Sequence, residues 1–372
     1  MLFYREYFED ILRFSSWYLD YYSFLITSIF RRKKIGDVKS IIIIDLKYIG
    51  DLIIDTPMIR ALKDRYPNAK ISILVPQPMR EVLMGNPDIF SIITDDKESL
   101  ERLSREKFDL GILLYPGDKK MSSFLKSIAS YRIGIRRSGA FEPKGYYLNK
   151  KTKPSLRWKH KIDDNLDVIK TIGIKANEKK LQLHATKRID SFFRENMISD
   201  KDFIIAIHAS PQHKSHEWFK DRFALLADKL IEDYKANIIF TGAEKDSDYN
   251  EEIIKMMNYK AMNYSGHSIQ EFFAMIKRAN LVISVDTSAM HVAAAFNKQV
   301  IALFGAGNPK VWHPYCDNFK VIYKEDVAHT RCWKHDCYLK GERYMECMKN
   351  IQVHDILKAI NEMDIFQNII TD

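Results

Sequence analysis

Three stretches of this chain carry side chains fit for chemistry, and each follows an apolar run. The first reads Asp45-Leu46-Lys47-Tyr48-Ile49-Gly50-Asp51-Leu52-Ile53-Ile54-Asp55-Thr56-Pro57. Gly50 admits backbone conformations that other residues resist. Asp51 then opens a helical stretch, where the helix dipole favours a carboxylate. An ionised Asp aimed at a substrate can take the proton of an incoming hydroxyl. Asp is also a common helix N-cap, and this turn alone favours the cap. The second stretch reads Ser284-Val285-Asp286-Thr287-Ser288-Ala289-Met290-His291. An apolar run ends at Asp286, hydroxyl residues follow, and an alanine-rich helix begins. Amides of Thr287 and Ser288 would point at a bound phosphate, as helix N-termini do. Asp286 is placed to hold sugar hydroxyls, whereas the spacing of His291 alone reads as a core histidine. The third stretch reads His208-Ala209-Ser210-Pro211-Gln212-His213-Lys214-Ser215-His216-Glu217-Trp218. A lysine in a loop at a strand's end can pair with a diphosphate.

Strands must hold these loops. Residues 41–44 form a continuous apolar run, as expected of a parallel strand covered on both faces. A helix is expected from Asp51 to about Tyr66, ended by Pro67-Asn68. Further strands are expected at 71–75, 89–94 and 110–115. A second series is expected at 203–208, 238–241, 281–285 and 300–304, with helices near 223–234, 246–257, 269–278 and 289–296. Strand–helix alternation of this kind implies an α/β fold with doubly wound parallel sheets, and ligands at the carboxyl ends of the strands. The length of 372 residues suits two domains. The link is expected between Lys150 and Lys180, with a helix at 163–172. The expected organisation is an N-terminal segment 1–35, a first domain 36–165 and a second domain 166–372.

Charge is placed unevenly. Between residues 119 and 161 there are 13 Lys or Arg against one acid, Glu142, while the whole chain carries +9. Such a field attracts anions. Aromatic residues interleave with these bases, yet no recognised nucleic-acid motif accompanies them, and nucleic acid is not an expected partner. Residues 1–35 are rich in aromatics and end in Arg31-Arg32-Lys33-Lys34. The charge-free part is too short to cross a bilayer. It suits a helix lying on an anionic membrane surface or packed on the protein itself. No signal peptide opens the chain, so a reducing cytoplasm is expected.

Together and in order, the three stretches resemble glycosyltransferase family 9, the bacterial lipopolysaccharide heptosyltransferases. The matching residues are Ile49-Gly50-Asp51 with Thr56-Pro57, Arg132-Ile133-Gly134, His208-Ala209-Ser210 with Trp218, Val285-Asp286-Thr287 with His291, and the Leu303-Phe304-Gly305 loop. The resemblance implies a GT-B type fold, with two facing Rossmann-like domains and an interdomain cleft. It implies an inverting transfer from a nucleotide-diphosphate sugar, with no metal needed for catalysis. Asp51 would be the base. Ser210, Lys214, His216, Glu244, Asp286, Thr287, Ser288 and His291 are the candidate donor contacts, and Arg132, Arg136 and Arg137 the candidate acceptor contacts. Ser288 stands where the family usually has Gly. His216 stands where it has Lys, so either Lys214 or His216 would meet the diphosphate. The acceptor is expected to be an anionic glycolipid at the inner face of the cytoplasmic membrane. A protein hydroxyl and a non-catalytic family member are the alternatives. His329, Cys332, Cys337 and Cys347 offer a His-Cys-Cys-Cys set for a structural zinc or iron, although the gap before Cys347 is not that of a standard zinc finger. Reduced packing cysteines are the other reading.

Overall fold

The protein is described from a computed structural model, which covers residues 35–135, 147–152, 158–327, 332 and 335–363. The expected N-terminal segment, Arg136, Arg137 and His329 lie outside the described residues. The chain divides into two compact units, Met1–Lys179 and Lys180–Asp372.

In the first unit, strands β1 (Ser40–Asp45), β2 (Lys70–Val75), β3 (Ser91–Thr94), β4 (Phe108–Tyr115), β5 (Ala129–Gly134) and β6 (Lys150–Lys151) form one sheet. Its order is β3-β2-β1-β4-β5-β6, and every pairing is parallel. The isoleucines of β1 are fully buried, which is why this strand reads as an unbroken apolar run.

Helices α1 (Ile49–Ile54) and α2 (Thr56–Arg65) follow β1. A single helix was expected here, and Pro57 divides it. Proline has no N–H for the carbonyl four residues back, and its ring crowds that carbonyl. The Thr56 hydroxyl donates to the Ile53 carbonyl at 2.7 Å in its place. Helices α3 (Lys97–Leu103), α4 (Lys119–Ile128) and α5 (Lys161–Lys170) complete the unit. The expected boundary at 165/166 falls inside α5. That helix buries Ile162, Leu166, Val168 and Ile169 within the first unit, so the division comes after it, at Lys179.

The second unit holds α6 (Asp190–Glu195), β7 (Ile204–His208), α7 (Lys220–Tyr234), β8 (Asn237–Gly242), α8 (Ser247–Met256), β9 (Met262–Ser265), α9 (Ile269–Arg278), β10 (Leu281–Val285), α10 (Ser288–Ala295), β11 (Gln299–Phe304), α11 (Pro309–Trp312), β12 (Phe319–Tyr323), α12 (Glu346–Lys349) and α13 (Val353–Asn361). Its sheet order is β12-β11-β10-β7-β8-β9, again all parallel. Counted from the first strand of each unit, the two sheets share one strand order. In each, the first and fourth strands lie side by side, and the connections turn to opposite sides there. In open α/β sheets such a point is where ligands bind, beyond the carboxyl ends of the strands.

Candidate active site

In the first unit the switch point lies between β1 and β4, and Asp45 sits beside Tyr115 in the register. Asp51 stands in the first turn of α1. The expectation that it caps the helix is corrected, because Tyr48 occupies the N-cap and makes no side-chain cap bond. The Asp51 carboxylate is held instead by Lys47, Nζ to Oδ1 at 2.7 Å, with both side chains largely shielded. The same ammonium lies 5.2 Å from the centre of the Tyr115 ring. Two more carboxyl groups lie in the same neighbourhood. Asp45 and Asp55 are buried and hydrogen-bonded to each other, and Asn165 Nδ2 on α5 donates to Asp55 Oδ1 at 2.6 Å. Burial, then the nearby Asp51 charge, pushes Asp45 up to about 7. Burial, then Asp45, pushes Asp55 well above the usual carboxylate range. Two buried carboxylates side by side cannot both ionise cheaply, so the pair shares a proton. Lys161 faces the cluster from α5, its ammonium pushed down by burial and by Lys47.

Arg132 on β5 donates to main chain at three points. Its Nε donates to Tyr147 O at 2.6 Å, and its Nη1 to Ala129 O at 2.8 Å and Ser130 O at 3.2 Å. These bonds hold β5 to the segment at 147.

In the second unit the switch point lies between β7 and β10, where His208 pairs with Ser284. Asp286 follows β10 and Thr287 is the N-cap of α10. The Thr287 hydroxyl meets that of Ser284 at 3.0 Å. Ala289 and Ala293 are fully buried and Ala294 nearly so, so α10 approaches the sheet closely and its N-terminus points out at the strand ends. Burial raises Asp286 to about 7. Its Oδ2 lies so near Gly307 that a Cβ there would come within 1.9 Å of it. Glycine is thus required in the loop after β11 for Asp286 to hold its position. Glu244 is exposed and its carboxylate lies over Gly266 in the same way, with 1.9 Å to a would-be Cβ.

The loop after β7 places His216 against Asp286, Nδ1 to Oδ2 at 3.5 Å. Burial lowers His216 to about 4, so near neutral pH its ring is uncharged. His208, lowered to about 4 by burial, meets Thr241 Oγ1 at 3.1 Å. Ser210 donates to Asp246 Oδ1 at 2.7 Å. Lys214 is exposed on the same short turn as His216. Trp218 is a structural anchor. It is fully buried, its Nε1 donates to Ile351 O at 3.0 Å, and it meets Phe223 edge-on. His291 is buried in α10 beside Trp312, as its spacing indicated.

The cysteine stretch was weighed as a metal site. Burial is the main cause that pushes Cys347 up to about 11, and the nearby Cys332 and Cys337 add to it. Cys337 Sγ accepts from Met345 N at 3.3 Å. Among the described residues no three His, Cys, Asp or Glu side chains come together as a metal would need. Cys337 and Cys347 pack against the apolar core of the second unit.

Sequence reasoning named Asp51, Asp286 and His216. It passed over Lys47, Asp45 and Asp55, which lie in the same quoted stretch, and Lys161 on α5. The signal available was four charged residues within eleven positions at a strand-to-helix turn.

The glycosyltransferase family 9 (heptosyltransferase) model matches residues 98–342. Over 292 residues the chain is 26% identical to lipopolysaccharide heptosyltransferase 3 of Escherichia coli K12, covering 73% of this chain and 84% of that one. Among solved structures it is similar to a family 9 glycosyl transferase from Veillonella parvula, with TM-score 0.76, 21% identity, and 88% and 97% of the two chains covered. It is also similar to the ADP-heptose heptosyltransferase II of E. coli, with TM-score 0.72, 21% identity, and 88% and 99% covered.

Proposed function

This chain belongs to glycosyltransferase family 9, the heptosyltransferases, and on that premise we propose that it moves a heptose from ADP-heptose to a hydroxyl of an anionic, lipid-linked glycan, with inversion at the anomeric carbon. The observation that carries this reading is the pairing of Asp51 with Lys47 at the first switch point. A carboxylate fixed at the end of a parallel strand by a shielded ammonium is oriented to accept a proton.

In the proposed reaction the acceptor hydroxyl gives its proton to Asp51 as its oxygen bonds to the anomeric carbon. The bond from that carbon to the β-phosphate oxygen breaks, and ADP leaves with the electron pair. The second unit holds the donor. Asp286 takes sugar hydroxyls, and the amides at the start of α10 meet the leaving diphosphate. Of the two candidates for the diphosphate, His216 is turned into the site and Lys214 is exposed beside it. His216 supplies a neutral N–H donor, and Lys214 supplies charge. No metal has a task in this scheme.

The basic window 119–161 supports an anionic acceptor, and the aromatic segment 1–35 with its basic end supports attachment to an anionic membrane. No helix among the described residues is long and apolar enough to cross a membrane. Full-length protein should therefore rise with anionic vesicles in flotation, and a chain starting at Gly36 should largely stay behind.

The test of activity is nucleotide release. ADP should appear when the protein meets ADP-heptose and a heptose-deficient lipopolysaccharide together, and not with GDP-, UDP- or CDP-sugars. No acceptor-dependent release from any of these donors would overturn the assignment.

A further inference from the structure

Beside the donor half-site two imidazole rings lie face to face. His213, in the loop after β7, stacks on His335 with ring centroids 3.9 Å apart and planes 6° from parallel. The edge of His213 meets His216 at 6.0 Å and 81°. His216 in turn lies 3.5 Å from Asp286. Three stretches distant in sequence therefore bring a row of imidazoles up to Asp286. The arrangement is held from behind. Ser215 N donates to His335 O at 3.2 Å, and buried Trp218 ties the loop to Ile351 O.

Ring nitrogens are costly to leave without a hydrogen-bond partner when shielded. Among the described residues no hydrogen bond reaches a ring nitrogen of His213 or of His335. His213 is half-buried and His335 exposed, so the pair borders open space next to the site. A departing nucleoside diphosphate carries at least two negative charges there, and His216 can offer it one hydrogen bond but no charge, because burial keeps that ring neutral. An imidazole in contact with an anion can take up a proton and become a charged donor, which other uncharged side chains cannot do near neutral pH.

We propose that His213 and its stacked partner His335 form a diphosphate clamp, donating ring N–H groups to the phosphates of the bound nucleotide. Burial lowers His213, and the neighbouring His335 lowers it further. A bound diphosphate reverses that balance and supplies the acceptors that the rings lack. The clamp rests on the reading that the second unit holds the donor. It adds His213 and His335 to the donor contacts named above.

Calorimetric titration of the full chain tests it. Wild type is first screened with ADP, GDP, UDP and CDP, and the tightest binder is taken forward together with its nucleoside. His213→Phe keeps a ring to stack on His335 and removes both nitrogens. His335→Phe does the same at an exposed position, where folding is least at risk. In each variant the diphosphate should bind about tenfold more weakly, the loss expected of a hydrogen bond to a charged group, while the nucleoside affinity stays unchanged. Folded variants that bind the diphosphate as wild type does would overturn the clamp and leave the donor reading standing. An equal loss for nucleoside and diphosphate would also overturn it, since the stack would then only shape the loop. If wild type binds none of the four diphosphates, the donor reading and the clamp fall together.

Discussion

At the end of β1 the first unit gathers ions, whereas at the ends of β7 and β10 the second gathers groups whose charged forms burial disfavours. Lys47 and Asp51 stand 2.7 Å apart in the first, with the proton-sharing Asp45–Asp55 pair and Lys161 close by. In the second, Asp286 is raised to about 7 and His216 lowered to about 4, both chiefly by burial, and they meet at 3.5 Å. The two sheets share one strand order, so topology does not cause the contrast. It sets only where a ligand lies. In the proposed reaction the side chains divide the work, with charge to move a proton in one unit and shaped hydrogen bonding to hold a sugar in the other.

If that division of labour is right, substitutions in the two units should fail in different ways. The largest effect is expected from Asp51→Asn. It should lower kcat about a thousandfold, in the range of a lost general base, and leave the donor KM near its wild-type value. Because Asp51 is not the N-cap, Tm should stay within about 3 °C. Steady-state kinetics beside a thermal melt would show it. Gly307→Ala comes next. The added Cβ would stand 1.9 Å from Asp286 Oδ2, so the carboxylate must move. kcat/KM should drop about a hundredfold, the cost of displacing a positioning group by about an ångström, and the donor KM should rise. A Gly307→Ala enzyme with an unchanged donor KM would remove Asp286 from sugar binding. Lys47→Met should lower kcat about tenfold, the worth of one charge-assisted hydrogen bond, again at constant donor KM.

The smallest effect concerns stability. A carboxyl whose folded value is raised from 3.8 to about 7 binds its proton more tightly in the folded state. Its contribution therefore turns unfavourable as pH rises from about 4 to 7 and stays so above. Asp45→Asn removes that cost. It should raise Tm by about 2–4 °C at pH 8, by less at pH 5 and hardly at all at pH 4. Equal shifts at pH 8 and pH 4 would mean that Asp45 is not carrying the shared proton.

The sequence made the inner strands legible except β5, and of the edges only β3. β1, β8, β10 and β11 are covered on both faces, so their apolar runs are continuous. β9 (Met262–Ser265) and β12 (Phe319–Tyr323) lie at sheet edges and are half-covered, while β6 has only two residues. None leaves a clear periodic trace. The break at Pro57 was visible and went unread, because the apolar spacing continued across it. Asp51 and Asp286 could be found because each lies at the turn from a strand into a helix. Lys161 is separated from Asp51 by more than a hundred positions, and the Asp45–Asp55 contact depends on how α1 turns back over β1. Such proximities come from packing and have no local spacing. His335 is the same case, since only the folded chain brings it onto His213.

The most direct test is the stereochemistry of a single transfer, read from the anomeric signal of the product by NMR after reaction with ADP-heptose. In the proposed reaction the acceptor oxygen displaces ADP in one step, entering opposite the departing ADP. The account predicts a product whose new linkage has the opposite anomeric configuration to the donor. Retention would contradict it, because Asp51 would then not be serving as the base of a single displacement.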